Sequence, residues 1–180
     1  MQEPRAGLTE EQQEQMKGEI LVDLENLEND VLRVTGKIYI HAEPGTVWRA
    51  LTDYDHLSET MPKLSSSRLV GQGGSGKIVD QTGRTGIFIF EKSVHFRLQV
   101  REQEPRRIDF RQESGDFRVY NGSWNLDHYP AGQGTFLTYQ AEVKPDFFAP
   151  PFLVSFVQRQ DLPAILKAIK STCESAGHVN

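Results

Sequence analysis

Residues 44–62 read "PGTVWRALTDYDHLSETMP". Pro44 stands where a first helical turn tolerates a missing N–H, and Val47, Trp48 and Leu51 follow at helical spacing. The second half, Thr52 to Pro62, gathers Asp53, Asp55, His56 and Glu59 around Tyr54 and Leu57. Carboxylates and an imidazole set this close suit metal ligation or acid–base chemistry. Ligation lacks a second inward imidazole or thiolate, and acid–base work lacks a buried setting. Two short helices explain the stretch better. Leu51 closes the first, Asp53 or Asp55 is placed to cap the second, and Tyr54 and Leu57 turn inward. The stretch is expected to be architecture, with its tyrosine as the residue of functional interest.

The segments on either side supply strands. "DVLRVTGKIYIHA" at 30–42 alternates, with Val34, Ile38 and Ile40 on one face and Arg33, Thr35 and Lys37 on the other. A weaker alternation, "EILVDLE" at 19–25, is a candidate edge strand. Four hairpin-like folds follow. Turning at "QGGS" sets Leu69 against Ile78, and turning at "QEP" sets Val100 against Ile108, Leu98 against Phe110 and Phe96 against Gln112. A two-residue turn at Ser114-Gly115 sets Phe117 against Gln112 and Val119 against Phe110. Turning at "PAGQ" sets Trp124 against Tyr139 and Leu126 against Leu137. Inward residues are then odd-numbered at Phe117 and Val119 but even-numbered at Trp124 and Leu126, so a bulge is expected near Asn121-Gly122. After "KPDFFAPP" the pattern turns helical, and a helix is expected from about 150 to 176. It is expected to kink near 161, where Asp161 is placed to cap a new turn that tolerates Pro163.

Bulk properties set the outer limits. A chain of 180 residues, 37% hydrophobic and 25% charged, suits one domain with one core. Residues 1–18, rich in Glu and Gln, are expected to form a flexible lead in preference to a docked helix. Residues 19–176 form the domain and 177–180 a tail. The net charge of −5 disfavours nucleic acid as a partner, because phosphate binding rests on clustered Lys and Arg. One cysteine, Cys173, excludes an internal disulfide, and neither a membrane-spanning run nor a secretion signal is evident. A cytoplasmic location is the expectation; the sequence does not fix an oligomeric state.

The order of strand, two short helices, antiparallel meander and long C-terminal helix is that of the helix-grip fold. In "VWRALTDYDHLSETMP", "GDF" (115–117), "GSW" (122–124), "TFLTY" (135–139) and "VKPDFFAPP" the chain resembles the polyketide cyclase/dehydrase and coenzyme-Q-binding branch of the START-like superfamily. Within that branch it looks most like members found in cyanobacteria and plastids. The resemblance covers roughly residues 30–175 and implies an α+β fold of the START or birch-pollen-allergen type. That means a curved antiparallel sheet of about seven strands around the C-terminal helix. It also implies a deep apolar cavity between sheet and helix, but not one chemistry, since members carry lipids, quinones or hormones, cyclise polyketides or associate with ribosomes.

Several motifs are set aside. "GQGGSGKI" at 71–78 nearly spells a phosphate-binding loop, but Ile78 stands where Ser or Thr should hold magnesium, and "KIVDQ" is predicted as strand rather than helix. No cofactor or metal is called for. Of the histidines, only His128 follows Trp124 and Leu126 on the inward face, and no pair has metal-ligand spacing. Arg97, Arg101, Arg107, Arg111 and Arg118 are expected on the outer face, interleaved with acids that pair across strands.

Within the implied cavity, Trp48, Tyr54, Leu57, Phe96, Leu98, Phe110, Gln112, Val119, Trp124, Tyr139 and Phe156 are the candidate ligand-contacting residues. "TGIFIFE" and "DFFAPPF" are expected at its mouth, where a greasy ligand or a transient membrane contact would be met. The leading expectation is a non-enzymatic carrier or sensor of a hydrophobic small molecule, such as a lipid, isoprenoid, quinone or pigment-related compound. In it Tyr54, Gln112, Trp124 or Tyr139 would fix orientation. A metal-free cyclase or dehydratase using the same cavity is the first alternative; a protein- or ribosome-interaction module using the outer arginines is the second.

Overall fold

The computed structural model describes residues 7–87 and 90–177, apart from the side chains at 86, 87, 90, 152 and 156. Helix α1 (Glu10–Met16) is followed by β1 (Leu21–Asn26), β2 (Leu32–Ile40), α2 (Pro44–Thr52) and α3 (Leu57–Thr60). Then come β3 (Leu64–Gly73), β4 (Gly76–Ile87), β5 (Phe90–Gln103), β6 (Arg107–Gly115), β7 (Phe117–Tyr129), β8 (Gly134–Pro145) and α4 (Pro151–Ala176). The strands form one antiparallel sheet in the order β1-β2-β8-β7-β6-β5-β4-β3. This is the expected α+β helix-grip architecture with eight strands; the weakly alternating segment at 19–25 supplies the eighth, as an edge strand on β2.

The lead expected to be flexible carries α1. Thr9 and Gln12 form a reciprocal capping box, Gln15 is buried, and Lys37 of β2 pairs with Glu11. Tertiary contact therefore supports a helix too short to persist alone.

The meander departs from the predicted registers in instructive ways. In β3–β4, Leu69 pairs with Val79 and Gly71 with Ile78, across a bulge. In β5–β6 the three-residue loop lies one residue further along the chain than expected, closing on Gln103↔Arg107, so Val100 faces Phe110 and Leu98 faces Gln112. That shift of two keeps every side chain on its predicted face. The β6–β7 connection is different. Gly115, the last residue of β6, pairs with Phe96 of β5, at a φ of +146° and with no room for a Cβ, which would lie 2.5 Å from the His95 carbonyl. Gln112 braces the wide loop, donating to the Phe117 carbonyl at 2.7 Å and accepting from its N–H. Pairing then begins at Arg111↔Asn121, and Phe110 meets Gly122 rather than Val119. The parity switch lies between Phe117 and Val119 on β7–β8, not near Asn121-Gly122. Beyond it, Trp124↔Tyr139 and Leu126↔Leu137 pair as expected.

Helix α4 runs unbroken across Pro163. The expected cap at Asp161 is not used: no second helix begins there, and the Asp161 side chain is buried. The sheet grips α4 at Gly36, where a Cβ would approach Leu162 Cδ2 and Leu166 Cδ1 to within 3 Å, at 2.8 and 2.9 Å. At the C-terminal end, Lys170 donates to the Tyr39 carbonyl at 2.8 Å, and Glu174 accepts from the His41 N–H at 2.9 Å. The C-terminal half of α4 is thus fastened to β2, and its N-terminal half roofs an internal space.

Candidate functional site: the cavity between sheet and helix

The opening stretch is architectural. In α2, Val47, Trp48 and Leu51 are buried; Tyr54 and Leu57 follow through a 3-10 turn into α3. Neither aspartate caps a helix by side chain. Asp53 binds His56 Nδ1 at 2.8 Å in solvent, and Asp55 accepts from the Leu69 N–H at 2.8 Å, tying the helices to β3. Among the described residues no group of three His, Cys, Asp or Glu side chains is placed to hold a metal ion. "GQGGSGKI" forms the β3–β4 hairpin and opens no helix. His128 is exposed and paired with Glu43 at 3.0 Å, contrary to its expected inward position, next to the last residue of β7 and at the rim of the sheet.

Between the concave sheet face and α4 lies a cavity of about 840 Å³. Of the predicted contact residues, Tyr54, Leu57, Phe96, Leu98, Phe110, Trp124 and Tyr139 line it. Trp48 packs in the core behind it, Gln112 is spent on the β6–β7 loop, and Val119 lies outside the lining. The Phe156 side chain falls outside the described residues. The displaced bulge puts Tyr120 where Val119 was expected, opposite Val143 on the inward face.

Tyr120 completes an aromatic wall. Its ring lies 5.3 Å from Phe96, 5.3 Å from Phe110 and 5.1 Å from Phe117. Tyr139 stacks on Phe110 at 6.0 Å and meets Trp124 at 4.6 Å. The hydroxyls of Tyr120 and Tyr139 are 3.5 Å apart, and burial pushes both phenols above their ordinary pKa, so both stay neutral. One proton serves the mutual contact and the other is available to an acceptor in the cavity.

Tyr54 is placed differently from its expected orienting role. Its ring is on the cavity wall, but its hydroxyl donates to Glu102 at 2.6 Å, and Lys77 holds the same carboxylate at 2.9 and 3.0 Å. Burial, then the Glu102 anion, pushes its pKa far up.

The sequence also missed a charged group inside. Asp161, 8% exposed, lines the cavity from α4 beside Gln158 and Leu162. Its nearest cation is Lys63, at 3.9 Å, and no donor among the described residues hydrogen-bonds to it. Burial raises its pKa, and Lys63 offsets part of that. The sequence signal was ambiguous: an Asp two residues before a proline looks like a helix cap.

At the mouth, Pro145, Phe147, Phe148 and Ala149 share the lining with Glu91 and Lys92 at the start of β5. Phe148 is 95% exposed, and Lys92 lies over the Phe147 ring at 4.5 Å. Residues 88–89 of "TGIFIFE" fall outside the described residues. On the outer face Arg97 pairs with Asp80 across β4 and β5, as expected, whereas Arg107 pairs with Asp109 of its own strand and Arg118 with Asp146 just beyond β8.

A curved sheet closed over a long helix, with an apolar cavity between them, defines a START-type helix-grip protein. Residues 40–170 match the family model described as polyketide cyclase / dehydrase and lipid transport, and the chain belongs to that family. It is the polyketide cyclase/dehydrase side of the resemblance that this match supports. Among solved structures, a START superfamily protein from Mycobacterium smegmatis superposes with a TM-score of 0.69 at 15% identity, covering 80% of this chain and 98% of that one. A STAR-related lipid transfer protein from Xanthomonas axonopodis gives 0.69 at 18%, covering 86% and 93%. The Zhui aromatase/cyclase from Streptomyces gives 0.68 at 14%, covering 83% and 97%. A comparison with curated protein sequences gives no match.

Proposed function

We propose that this protein binds a hydrophobic small molecule, as a carrier or sensor, in the cavity between sheet and α4. A lipid, isoprenoid, quinone or pigment-related compound is the expected class. The observation that carries this is the cavity itself: about 840 Å³, walled mainly by aromatic and aliphatic side chains, with Lys63, Arg84, Glu91, Lys92 and Asp161 as the charged residues of its lining. Transfer of each CH₂ from water into such a space contributes roughly 0.8 kcal/mol, enough for useful affinity without catalysis. Tyr139, joined by Tyr120, would orient the ligand by donating to a carbonyl or ether oxygen. Tyr54 and Trp124 would contribute surface. The exposed Phe148, next in sequence to the Phe147 that Lys92 covers, suits a transient contact with an anionic membrane during ligand exchange.

Uptake of the neutral apolar dye N-phenyl-1-naphthylamine tests the reading. Saturable fluorescence gain, lost in a cavity-filling Val157→Trp variant that still folds, is expected. No gain in the wild-type chain would overturn it.

One observation favours a second reading. Asp161 is an ionisable group inside the cavity with a raised pKa, as a cyclase or dehydratase needs for proton transfer. Product formation from a reactive polyketide chain, absent in Asp161→Asn, would establish it.

A further inference from the structure

Asp161 poses a specific problem of pairing. Its oxygens open into the cavity, and none of the described residues donates a hydrogen bond to them. Lys63 Nζ, at 3.9 Å, is too far for a hydrogen bond and is the cation that faces the carboxylate. Lys63 sits at a left-handed backbone position, φ +67°, and its carbonyl accepts from the Arg84 N–H at 2.8 Å. Its backbone is therefore fixed between α3 and the start of β3. Asp161 is fixed in turn by the α4 backbone, one residue before Leu162, which packs on Gly36.

A charged donor and a charged acceptor separated by 3.9 Å leave room for one small atom that can hydrogen-bond to both. An oxygen about 2.8 Å from each satisfies that spacing. A hydroxyl fits: its O–H donates to Asp161, and its lone pair accepts from Lys63. An ammonium would meet Lys63 repulsively, and a carboxylate would meet Asp161 repulsively. An ether or hydrocarbon leaves Asp161 without a donor.

We propose that Asp161 and Lys63 form a specificity-determining pair for the hydroxyl group of an otherwise apolar, uncharged ligand, that is, a long-chain or polycyclic alcohol. This rests on the carrier reading above and narrows its ligand class. The alcohol end lies at the α4 wall, and the apolar body extends toward Phe96, Phe110 and Tyr120.

Competition against bound N-phenyl-1-naphthylamine tests it, using hexadecan-1-ol, its methyl ether and hexadecanoate. A hydrogen bond to a charged group corresponds to roughly ten- to hundredfold in affinity. Hexadecan-1-ol should therefore displace the dye at least about tenfold better than the ether, and better than hexadecanoate. Asp161→Leu and Lys63→Met should each bring the alcohol and ether within about twofold of each other, both measured against that variant's own dye affinity. Wild-type protein that binds the dye but treats alcohol and ether alike overturns this inference and leaves the carrier reading standing. Preference for hexadecanoate also overturns it, since the site would then read anions through Lys63. Wild-type protein that does not take up the dye overturns both.

Discussion

The hydroxyl oxygens of Tyr120 and Tyr139 lie 3.5 Å apart on one wall of the cavity, facing its apolar interior. At that distance their mutual hydrogen bond is weak, so losing either hydroxyl should cost little stability. A typical net hydrogen bond contributes about 1 kcal/mol, or roughly fivefold in affinity. Tyr139→Phe and Tyr120→Phe should each weaken binding of a carbonyl-bearing apolar ligand by about that factor. Competition binding beside thermal melting checks it; a large melting loss with unchanged affinity would make the pair structural.

Tyr54 should behave oppositely. Its hydroxyl donates to Glu102 at 2.6 Å, away from the cavity. Tyr54→Phe removes a hydrogen bond to a charged acceptor and should cost about 1.5–3 kcal/mol of stability. Ligand affinity should stay within about twofold, because the ring remains on the wall. Urea unfolding and dye titration on one preparation measure both.

Gly122 is held for space. A Cβ there would lie 2.1 Å from the Gln140 carbonyl oxygen and 2.8 Å from Ala141 Cα, both backbone atoms of the paired strand β8. Gly122→Ala should cost about 3 kcal/mol, lowering the melting temperature by roughly 6–12 °C. A melting point unchanged from wild type would show that β7 and β8 can separate there freely.

Asp161 predicts a pH dependence. Its folded pKa is raised by burial, with Lys63 offsetting part, so the folded state binds the proton more tightly than the unfolded chain does. Its stabilising contribution is then fully present below the unfolded value of about 3.9 and is lost as pH rises through the folded pKa. Asp161→Asn removes this dependence. Relative to wild type, the variant should gain stability as pH rises from 4 to 7, read from denaturant midpoints at each pH. A variant that loses stability at neutral pH would make the Lys63 contact a structural ion pair.

Much of the fold was legible because several local signals agreed. Pro44 with Val47, Trp48 and Leu51 marks α2, and Trp124↔Tyr139 follows from one tight turn between two alternating strands. A two-residue error at β5–β6 did no harm, since a shift of two preserves the face. The β6–β7 error did. Its length is set by tertiary pairing of Gly115 with Phe96 and by the Gln112 brace, neither of which is a local pattern. That one connection exchanged Val119 for Tyr120 and hid half of the tyrosine pair. Asp161 was hidden for another reason. A buried carboxylate and a helix cap have the same sequence, and only the depth of α4 in the sheet separates them. The seven cavity residues foreseen are the apolar and aromatic ones: alternation places Phe96, Leu98, Phe110, Trp124 and Tyr139, and the short-helix reading of 52–62 places Tyr54 and Leu57.

The central claim is that the cavity is a ligand site. Native mass spectrometry of protein expressed in a host with its own lipids and pigments tests it most directly. The account predicts a fraction carrying an additional apolar mass, released into organic solvent and missing from folded Val157→Trp. A bare chain mass in wild type, with no apolar compound extracted and no dye taken up, would contradict it.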